Sequence, residues 1–278
     1  MLLECEISNV TIDPAKTALL IIDMQNFSLS AQLGSSIAVP PMFQAEDNLL
    51  KYAIPAARSA QIQIVWLNWG LTEEDLKTLP PAALRVFNWK AGTTEADYGL
   101  SRRPEAFETN DNFIRCGEIP RITKLGEDLG EVILTGGQRT GAGRALMKDT
   151  WNTALHGPLS AAFEESRKTS RPDVLIYKNR NSGLFDPLSD CNQFLRKEGI
   201  RTVLFAGMNT DQCVMGTLQD AHAGGFDTIL LKDGCATDSP PYAQLSAEYN
   251  CCRNWGFVST CRALGSAAAH LKKETENQ

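Results

Sequence analysis

The sequence predicts an α/β fold in which helices flank a doubly wound, mostly parallel sheet. Three observations support this prediction. Apolar runs of strand length alternate with segments of helical periodicity through most of the 278 residues. Several of these runs are almost continuously apolar, as expected for strands buried on both faces of a parallel sheet. They end abruptly at polar residues or glycine, which is typical of strand ends.

The first half of the chain is predicted to contain two strands and one helix. Residues 17–22 and 61–67 have the strand pattern, and residues 44–60 have helical periodicity. Residues from about 70 to about 150 have scattered apolar positions, and we interpret them as an insertion or lid between the second and third core strands. A short hairpin is predicted within this insertion, over residues 131–143.

The second half of the chain returns to regular alternation. The predicted strands cover residues 173–177, 202–206, 228–231 and 257–260. The predicted helices cover residues 159–166, 189–199, 214–223 and 240–253. We therefore expect residues 1–278 to form a single domain.

Composition and charge exclude several classes of protein. With 27 basic and 33 acidic residues the net charge is −6, and basic residues do not cluster, so nucleic acid is not an expected partner. No apolar run reaches the length of a membrane span, and the N-terminus lacks a signal-peptide pattern, so we expect a cytoplasmic protein without a membrane partner. The eight cysteines lack C-x-x-C spacing and are expected to be free thiols.

Three apolar strands are followed by a chemically reactive side chain. Asp23 follows the first strand, Lys178 follows the third, and Cys213 follows the fourth after a short turn. Because parallel strands carry their carboxyl ends at one edge of the sheet, we expect the three groups to converge. Each has a simpler explanation when considered alone: Asp23 as a helix cap, Lys178 as a solvated loop residue and Cys213 as a structural thiol. Their coincidence at one edge favours a catalytic role.

Cys213 is the predicted nucleophile. It lies near the first turn of a helix, where the helix dipole favours a thiolate. Asp23 would take the thiol proton and return it to a leaving amine. A carboxylate disfavours a nearby thiolate, so a cation is needed, and Lys178 supplies it. We therefore expect Cys213 to be held as an exposed, reactive thiolate at the edge of the sheet.

The residues around these three positions resemble a known family. The matching segments are Leu19-Leu20-Ile21-Ile22-Asp23-Met24-Gln25, Lys178 after a mid-chain strand, and Gly207-Met208-Asn209-Thr210-Asp211-Gln212-Cys213-Val214. They resemble the isochorismatase-like cysteine hydrolase superfamily, which includes nicotinamidases and carbamoylsarcosine, biuret and ureidoacrylate amidohydrolases. The resemblance covers roughly residues 15–70 and 150–262. It is strongest to the ureidoacrylate and biuret branch, through Val65-Trp66-Leu67-Asn68, Lys178-x-Arg180-x-Ser182-Gly183 and Phe257-Val258-Ser259.

The resemblance implies a catalytic triad of Asp23, Lys178 and Cys213. It also implies a cis peptide bond between Met208 and Asn209, which helps to turn the backbone N–H groups of Asn209 and Cys213 toward an oxyanion. A homodimer or homotetramer is implied as well.

The metal motif of nicotinamidases is absent from this sequence. Asn68-Trp69-Gly70 stands after the second strand in place of Asp-x-His. The three histidines of the chain, His156, His222 and His270, are not near one another in sequence. We therefore expect neither a metal nor another cofactor.

These observations favour a metal-independent cysteine hydrolase that cleaves a C–N bond of a small amide, ureide or carbamoyl compound through a thioester. One alternative is an isochorismatase that cleaves a vinyl ether by protonation, although such members of the family typically lack the cysteine. Another is a non-catalytic binding protein, in which decay of the triad would be expected. Candidate substrate contacts are Phe27, Asn68, Trp69, Asn181 and Ser182. For Phe27 and Trp69, the alternative to a substrate contact is that the side chain packs in the hydrophobic core.

Overall fold

A computed structural model describes residues 1–33, 40–85 and 124–276 of the protein. Its centre is a parallel sheet of six strands with helices packed around it, which confirms the predicted fold class. The strands in chain order are β1 (Leu2–Leu3), β2 (Val10–Thr11), β3 (Thr17–Ile22), β4 (Gln63–Trp69), β5 (Glu131–Ile133), β6 (Arg139–Gly141), β7 (Val174–Lys178), β8 (Thr202–Met208), β9 (Asp227–Ala236) and β10 (Phe257–Ser259). The six-stranded sheet has the order β10-β9-β8-β3-β4-β7.

Helices connect most of these strands. The α-helices are α1 (Asn26–Leu29), α2 (Pro40–Asn48), α3 (Ile54–Ser59), α4 (Glu73–Thr78), α5 (Pro81–Arg85), α6 (Gly157–Ser166), α7 (Asp190–Lys197), α8 (Met215–Ala223), α9 (Pro241–Asn250) and α10 (Cys261–Glu276). Short π-helical turns span Leu49–Ala53, Thr210–Val214 and Cys251–Trp255. No described helix is long and apolar enough to cross a bilayer.

The central strands β3 and β8 are almost wholly apolar and fully buried, because both faces of the sheet are covered. Their pairing brings Ile22 opposite Gly207. A Cβ atom at Gly207 would lie 2.1 Å from the Ile22 carbonyl oxygen, and the φ angle of Gly207 is +114°. Glycine is therefore required where β8 passes the end of β3, one residue before Asp23.

Two strands extend further than the sequence pattern predicts. β4 continues through Asn68 and Trp69, which were expected to follow the strand. β9 continues to Ala236 instead of ending at Leu231. Its polar residues interrupt the apolar pattern, but β9 pairs again with the end of β8 after an irregularity in the register. As a result, the loop that follows β9 lies beside the turn that follows β8.

The predicted hairpin within residues 131–143 is confirmed as the antiparallel pair β5–β6. The helix predicted over 44–60 consists of α2, the π-helical turn Leu49–Ala53 and α3 in direct succession. Residues 86–123 of the predicted insertion lie outside the described residues. The assignment of one domain to 1–278 stays a prediction.

Candidate active site

Asp23 lies at the carboxyl end of β3, between the ends of its two neighbouring strands. Its backbone has a φ angle of +54°, and its N–H donates to the Leu67 carbonyl of β4 at 3.0 Å. This bend directs the carboxylate toward Trp69, whose backbone N–H donates to Oδ1 at 3.1 Å. The side chain is buried beneath the edge of the sheet.

Lys178 is the last residue of β7 and pairs with Asp23. The Nζ atom lies 2.9 Å from Oδ2 of Asp23, and both side chains are almost completely buried. Nζ also donates to the Arg180 carbonyl at 3.2 Å. Since β4 lies between β3 and β7 in the sheet, the ion pair spans the end of β4.

Cys213 lies in the π-helical turn Thr210–Val214 that joins β8 to α8. Its thiol hydrogen-bonds to the carboxylate of Asp23 and to the indole of Trp69. A thiol donates to a carboxylate, and an indole N–H donates to sulfur. The three reactive residues predicted from separate strand ends are thus brought together.

Trp69 contacts each of these three residues. Besides its backbone bond to Asp23 and its indole bond to Cys213, its ring lies 4.2 Å from the Lys178 ammonium. Gln25 holds its backbone from both sides: Oε1 accepts from the Trp69 N–H at 2.9 Å, and Nε2 donates to the Trp69 carbonyl at 2.8 Å. Trp69 was predicted as a substrate contact, and its contacts with the reactive residues were not anticipated.

The charge state of Cys213 differs from the prediction. Its exposed fraction is 8%, so it is not exposed at the edge of the sheet. The pKa of the Cys213 thiol is raised to about 12, mainly by burial; the Lys178 charge opposes this rise, and the Asp23 charge adds to it. The prediction of an exposed thiolate is therefore wrong, because desolvation outweighs the cation and Lys178 is paired with Asp23. At neutral pH the thiol keeps its proton.

Burial also raises the pKa of the Asp23 carboxyl above its ordinary value of 3.8. The Lys178 charge opposes this rise, and so do the hydrogen bonds from Lys178, Cys213 and Trp69. The site thus holds a neutral thiol beside a carboxyl group whose affinity for protons is increased. This arrangement suits transfer of a proton between the two groups.

The loop that follows β7 is fastened to the helix that follows Cys213. The Gly183 N–H donates to the Thr217 hydroxyl at 3.3 Å, and that hydroxyl donates to the Cys213 carbonyl at 2.7 Å. Ser182, a predicted substrate contact, is buried in this loop, and its hydroxyl accepts from the Leu184 N–H at 3.0 Å. The loop therefore holds Ser182 near α8.

The other predicted substrate contacts lie in different surroundings. Asn68 is fully buried, and its amide donates to the Thr153 carbonyl at 3.3 Å. Phe27 is half-buried in α1, and Asn181 is half-buried in the loop after β7. A substrate role for any of these residues stays a prediction.

The peptide bond between Met208 and Asn209 is cis. The Asn209 carbonyl accepts from the N–H groups of Gln212 at 3.1 Å and Val214 at 3.2 Å, the residues on either side of Cys213. The Asn209 side chain donates to Asp238 Oδ1 at 2.8 Å. Asn209 therefore joins the Cys213 turn to the loop that follows β9.

Sequence reasoning missed Asp238 because it ended the strand β9 at Leu231. With the true end at Ala236, Asp238 follows a strand end closely, as Asp23 does, and the same rule would have identified it. Gln25 was also missed as a functional residue, although it stands two residues after Asp23 in the motif that carries the resemblance.

No group of three or more His, Cys, Asp or Glu side chains suited to a metal ion occurs within the described ranges. A cavity of about 300 Å³ lies beside β7, and Lys178, Tyr177 and Gly70 contribute to its lining.

Comparisons with known proteins find relatives in sequence and in fold. The isochorismatase domain family matches residues 135–249, which include Lys178 and Cys213. The chain is 24% identical over 265 residues to the ureidoacrylate amidohydrolase RutB of Agrobacterium fabrum, covering 93% of this chain and 94% of that protein. It is 27% identical over 268 residues to the RutB of Cronobacter turicensis, covering 93% of each.

Among solved structures, a cysteine hydrolase from Pseudomonas syringae pv. phaseolicola matches with a TM-score of 0.59 and 17% identity, over 96% of this chain and 98% of that one. This likeness supports the fold, and the sequence matches extend over nearly the whole chain. The chain is therefore similar to the isochorismatase domain family over residues 135–249 and to the ureidoacrylate amidohydrolases over nearly its whole length.

Proposed function

We propose that this protein is a metal-independent cysteine hydrolase that cleaves the C–N bond of a small amide, ureide or carbamoyl compound. The observation that carries the proposal is the contact between a neutral thiol, a buried carboxylate and a buried ammonium at one end of the sheet. In this proposal Cys213 is the nucleophile, Asp23 the general acid–base, and Lys178 the cation that keeps Asp23 ionised.

The first half of the reaction forms a covalent intermediate. As the Cys213 sulfur attacks the substrate carbonyl carbon, the thiol proton passes to Asp23. The carbonyl oxygen gains negative charge and binds the backbone N–H groups of Asn209 and Cys213. When the C–N bond breaks, Asp23 returns the proton to the leaving nitrogen, which departs as ammonia or an amine. A thioester, or a thiocarbamate from a ureide, remains on the sulfur.

The second half restores the enzyme. Asp23 accepts a proton from water as the water oxygen attacks the same carbon, and the C–S bond then breaks. The departing sulfur regains the proton from Asp23, which regenerates the thiol. Because the thiol is neutral at rest, removal of its proton belongs to the attack itself and does not precede it.

The similarity to ureidoacrylate amidohydrolases favours a ureide as substrate. A ureide presents one carbonyl acceptor and several N–H donors. Asn68, Asn181 and Ser182 carry amide and hydroxyl groups that can recognise them. Phe27 and Trp69 would supply apolar walls to the pocket. These contacts are part of the proposal.

The test is release of ammonia from a panel of small compounds: 3-ureidoacrylate, biuret, N-carbamoylsarcosine and nicotinamide. We expect ureidoacrylate or another carbamoyl compound to be hydrolysed, with activity unchanged by EDTA. Cys213→Ala should abolish turnover, whereas Cys191→Ala should retain it, since Cys191 is a buried thiol at the start of α7. Full activity of Cys213→Ala, or loss with EDTA that added zinc restores, would overturn the proposal.

A further inference from the structure

Side-chain hydrogen bonds fasten the turn that carries Cys213 to the loop that follows β9. The Asn209 amide donates to Asp238 Oδ1 at 2.8 Å, and the Thr237 hydroxyl donates to Asp211 Oδ1 at 2.6 Å. The Gln212 amide donates to the Ser239 hydroxyl at 3.2 Å. Three consecutive residues of one loop thus bind three residues of the other.

Of these three hydrogen bonds, the one to Asp238 is the bond that holds Asn209. The Asn209 carbonyl accepts from the N–H groups on both sides of Cys213. In the proposed mechanism the backbone N–H of Asn209 also binds the oxyanion. A movement of Asn209 would therefore displace the nucleophile and the oxyanion donor together.

The environment of Asp238 is unfavourable for a carboxylate. Burial raises the pKa of Asp238, and the nearby Asp211 charge raises it further, while the bond from Asn209 opposes the rise. Stability alone gives little reason to place Asp238, a partly buried carboxylate, where the charge of Asp211 on the facing turn repels it, and such arrangements concentrate at functional sites.

We propose that Asp238 is a positioning residue of the active site, which fixes Asn209 and, through it, the Cys213 sulfur and the oxyanion-binding backbone. This inference rests on the proposed hydrolase function and adds to it a residue from a fourth strand end. Asp238 acts on the reaction only through Asn209.

The test compares three variants of the full-length protein. Asp238→Ala removes the acceptor, whereas Asp238→Asn keeps a carbonyl oxygen at the same place. Asp227→Ala is the matched control, because Asp227 is an exposed residue at the opposite end of β9. Each variant is assayed for kcat and KM with 3-ureidoacrylate, or with the compound of the panel that the wild type hydrolyses. Backbone amide hydrogen exchange is measured on the peptide that contains residues 208–214.

For Asp238→Ala we expect faster exchange in this peptide and a fall in kcat of about 10–100-fold, as expected when a reacting group is misplaced by a fraction of an ångström to one ångström. KM should change little, because Asp238 does not touch the substrate. Asp238→Asn should restore both readouts, and Asp227→Ala should match the wild type.

Unchanged exchange in Asp238→Ala, or faster exchange with an unaltered kcat, would overturn the positioning role. So would a loss in Asp238→Asn as large as in Asp238→Ala. Failure of the proposed function gives a different result, since the wild type would then hydrolyse none of the compounds or Cys213→Ala would remain active. In that case the catalytic part of the inference falls, and the exchange data report only whether Asp238 orders the turn.

Discussion

Burial influences the resting state of Cys213 more strongly than the neighbouring charges do. The sequence correctly predicted a cation and a carboxylate near this cysteine. Lys178 and Asp23 form an ion pair there, and both act on the pKa of the Cys213 thiol. The sequence could not predict the charge of the thiol, because desolvation depends on how closely residues distant in the chain, such as Trp69, pack around the sulfur. In the proposed mechanism the thiol therefore stays protonated until Asp23 takes its proton.

The pH dependence of the rate provides a prediction at this scale. Asp23 must be ionised to accept a proton, and burial raises its pKa above 3.8. The value of kcat/KM should therefore decline as the pH falls through this raised pKa. Lys178→Met removes the cation that opposes the rise, so the acid limb should move to higher pH. Measurement of kcat/KM from about pH 4 to pH 9 in both proteins tests this expectation.

Lys232→Met is the control for this experiment. Lys232 forms an ion pair with Glu6 at 2.5 Å on the surface, where such pairs contribute about 0–1 kcal/mol. The pH profile of kcat/KM for Lys232→Met should coincide with that of the wild type. Thermal unfolding must show that Lys178→Met is folded, since an unpaired buried charge costs about 3–5 kcal/mol. An acid limb that stays in place, or moves to lower pH, would contradict the role assigned to Lys178.

At the scale of elements, the sheet edge explains how much of the site could be predicted from the sequence. Apolar runs identified β3, β7 and β8, and the rule that ligands bind at the carboxyl edge of a parallel sheet placed Asp23, Lys178 and Cys213 together. The pattern failed at β9, where polar residues within the strand concealed its true end. It also gave no sign that Trp69 lies within β4 and contacts all three groups, because that depends on the register between strands.

The close approach of β8 to β3 gives a second prediction. Gly207→Ala would place a Cβ atom 2.1 Å from the Ile22 carbonyl oxygen, at a φ angle of +114°. The strands must then separate next to Asp23. We expect the free energy of unfolding to fall by more than ~2 kcal/mol in urea denaturation.

Gly157→Ala is the matched control for this substitution. A Cβ atom at Gly157, in the first turn of α6, would meet no other atom within 4 Å. Gly157→Ala should change the free energy of unfolding by no more than about 0.5 kcal/mol. If Gly207→Ala and Gly157→Ala changed the free energy of unfolding equally, the contact between β8 and β3 would not require glycine.

At the scale of the whole molecule, the assembly state stays a prediction. The resemblance implies a homodimer or homotetramer, and α9 exposes three apolar side chains, Tyr242, Leu245 and Tyr249, spaced to share one face of the helix. We expect sedimentation equilibrium at micromolar protein to give a multiple of the chain mass of 30.5 kDa. Leu245→Asp should weaken this association. A wild-type mass of 30.5 kDa would contradict the expectation.

The measurement that tests the hydrolase mechanism most directly is the mass of the protein quenched in acid during turnover of 3-ureidoacrylate or whichever panel compound it hydrolyses. The mechanism predicts a population whose mass is increased by the acyl or carbamoyl part of the substrate, and peptide mapping should locate the adduct on Cys213. Cys213→Ser should lack a thioester adduct and lose most activity. Turnover without any adduct on Cys213, together with full activity of Cys213→Ser, would contradict the mechanism.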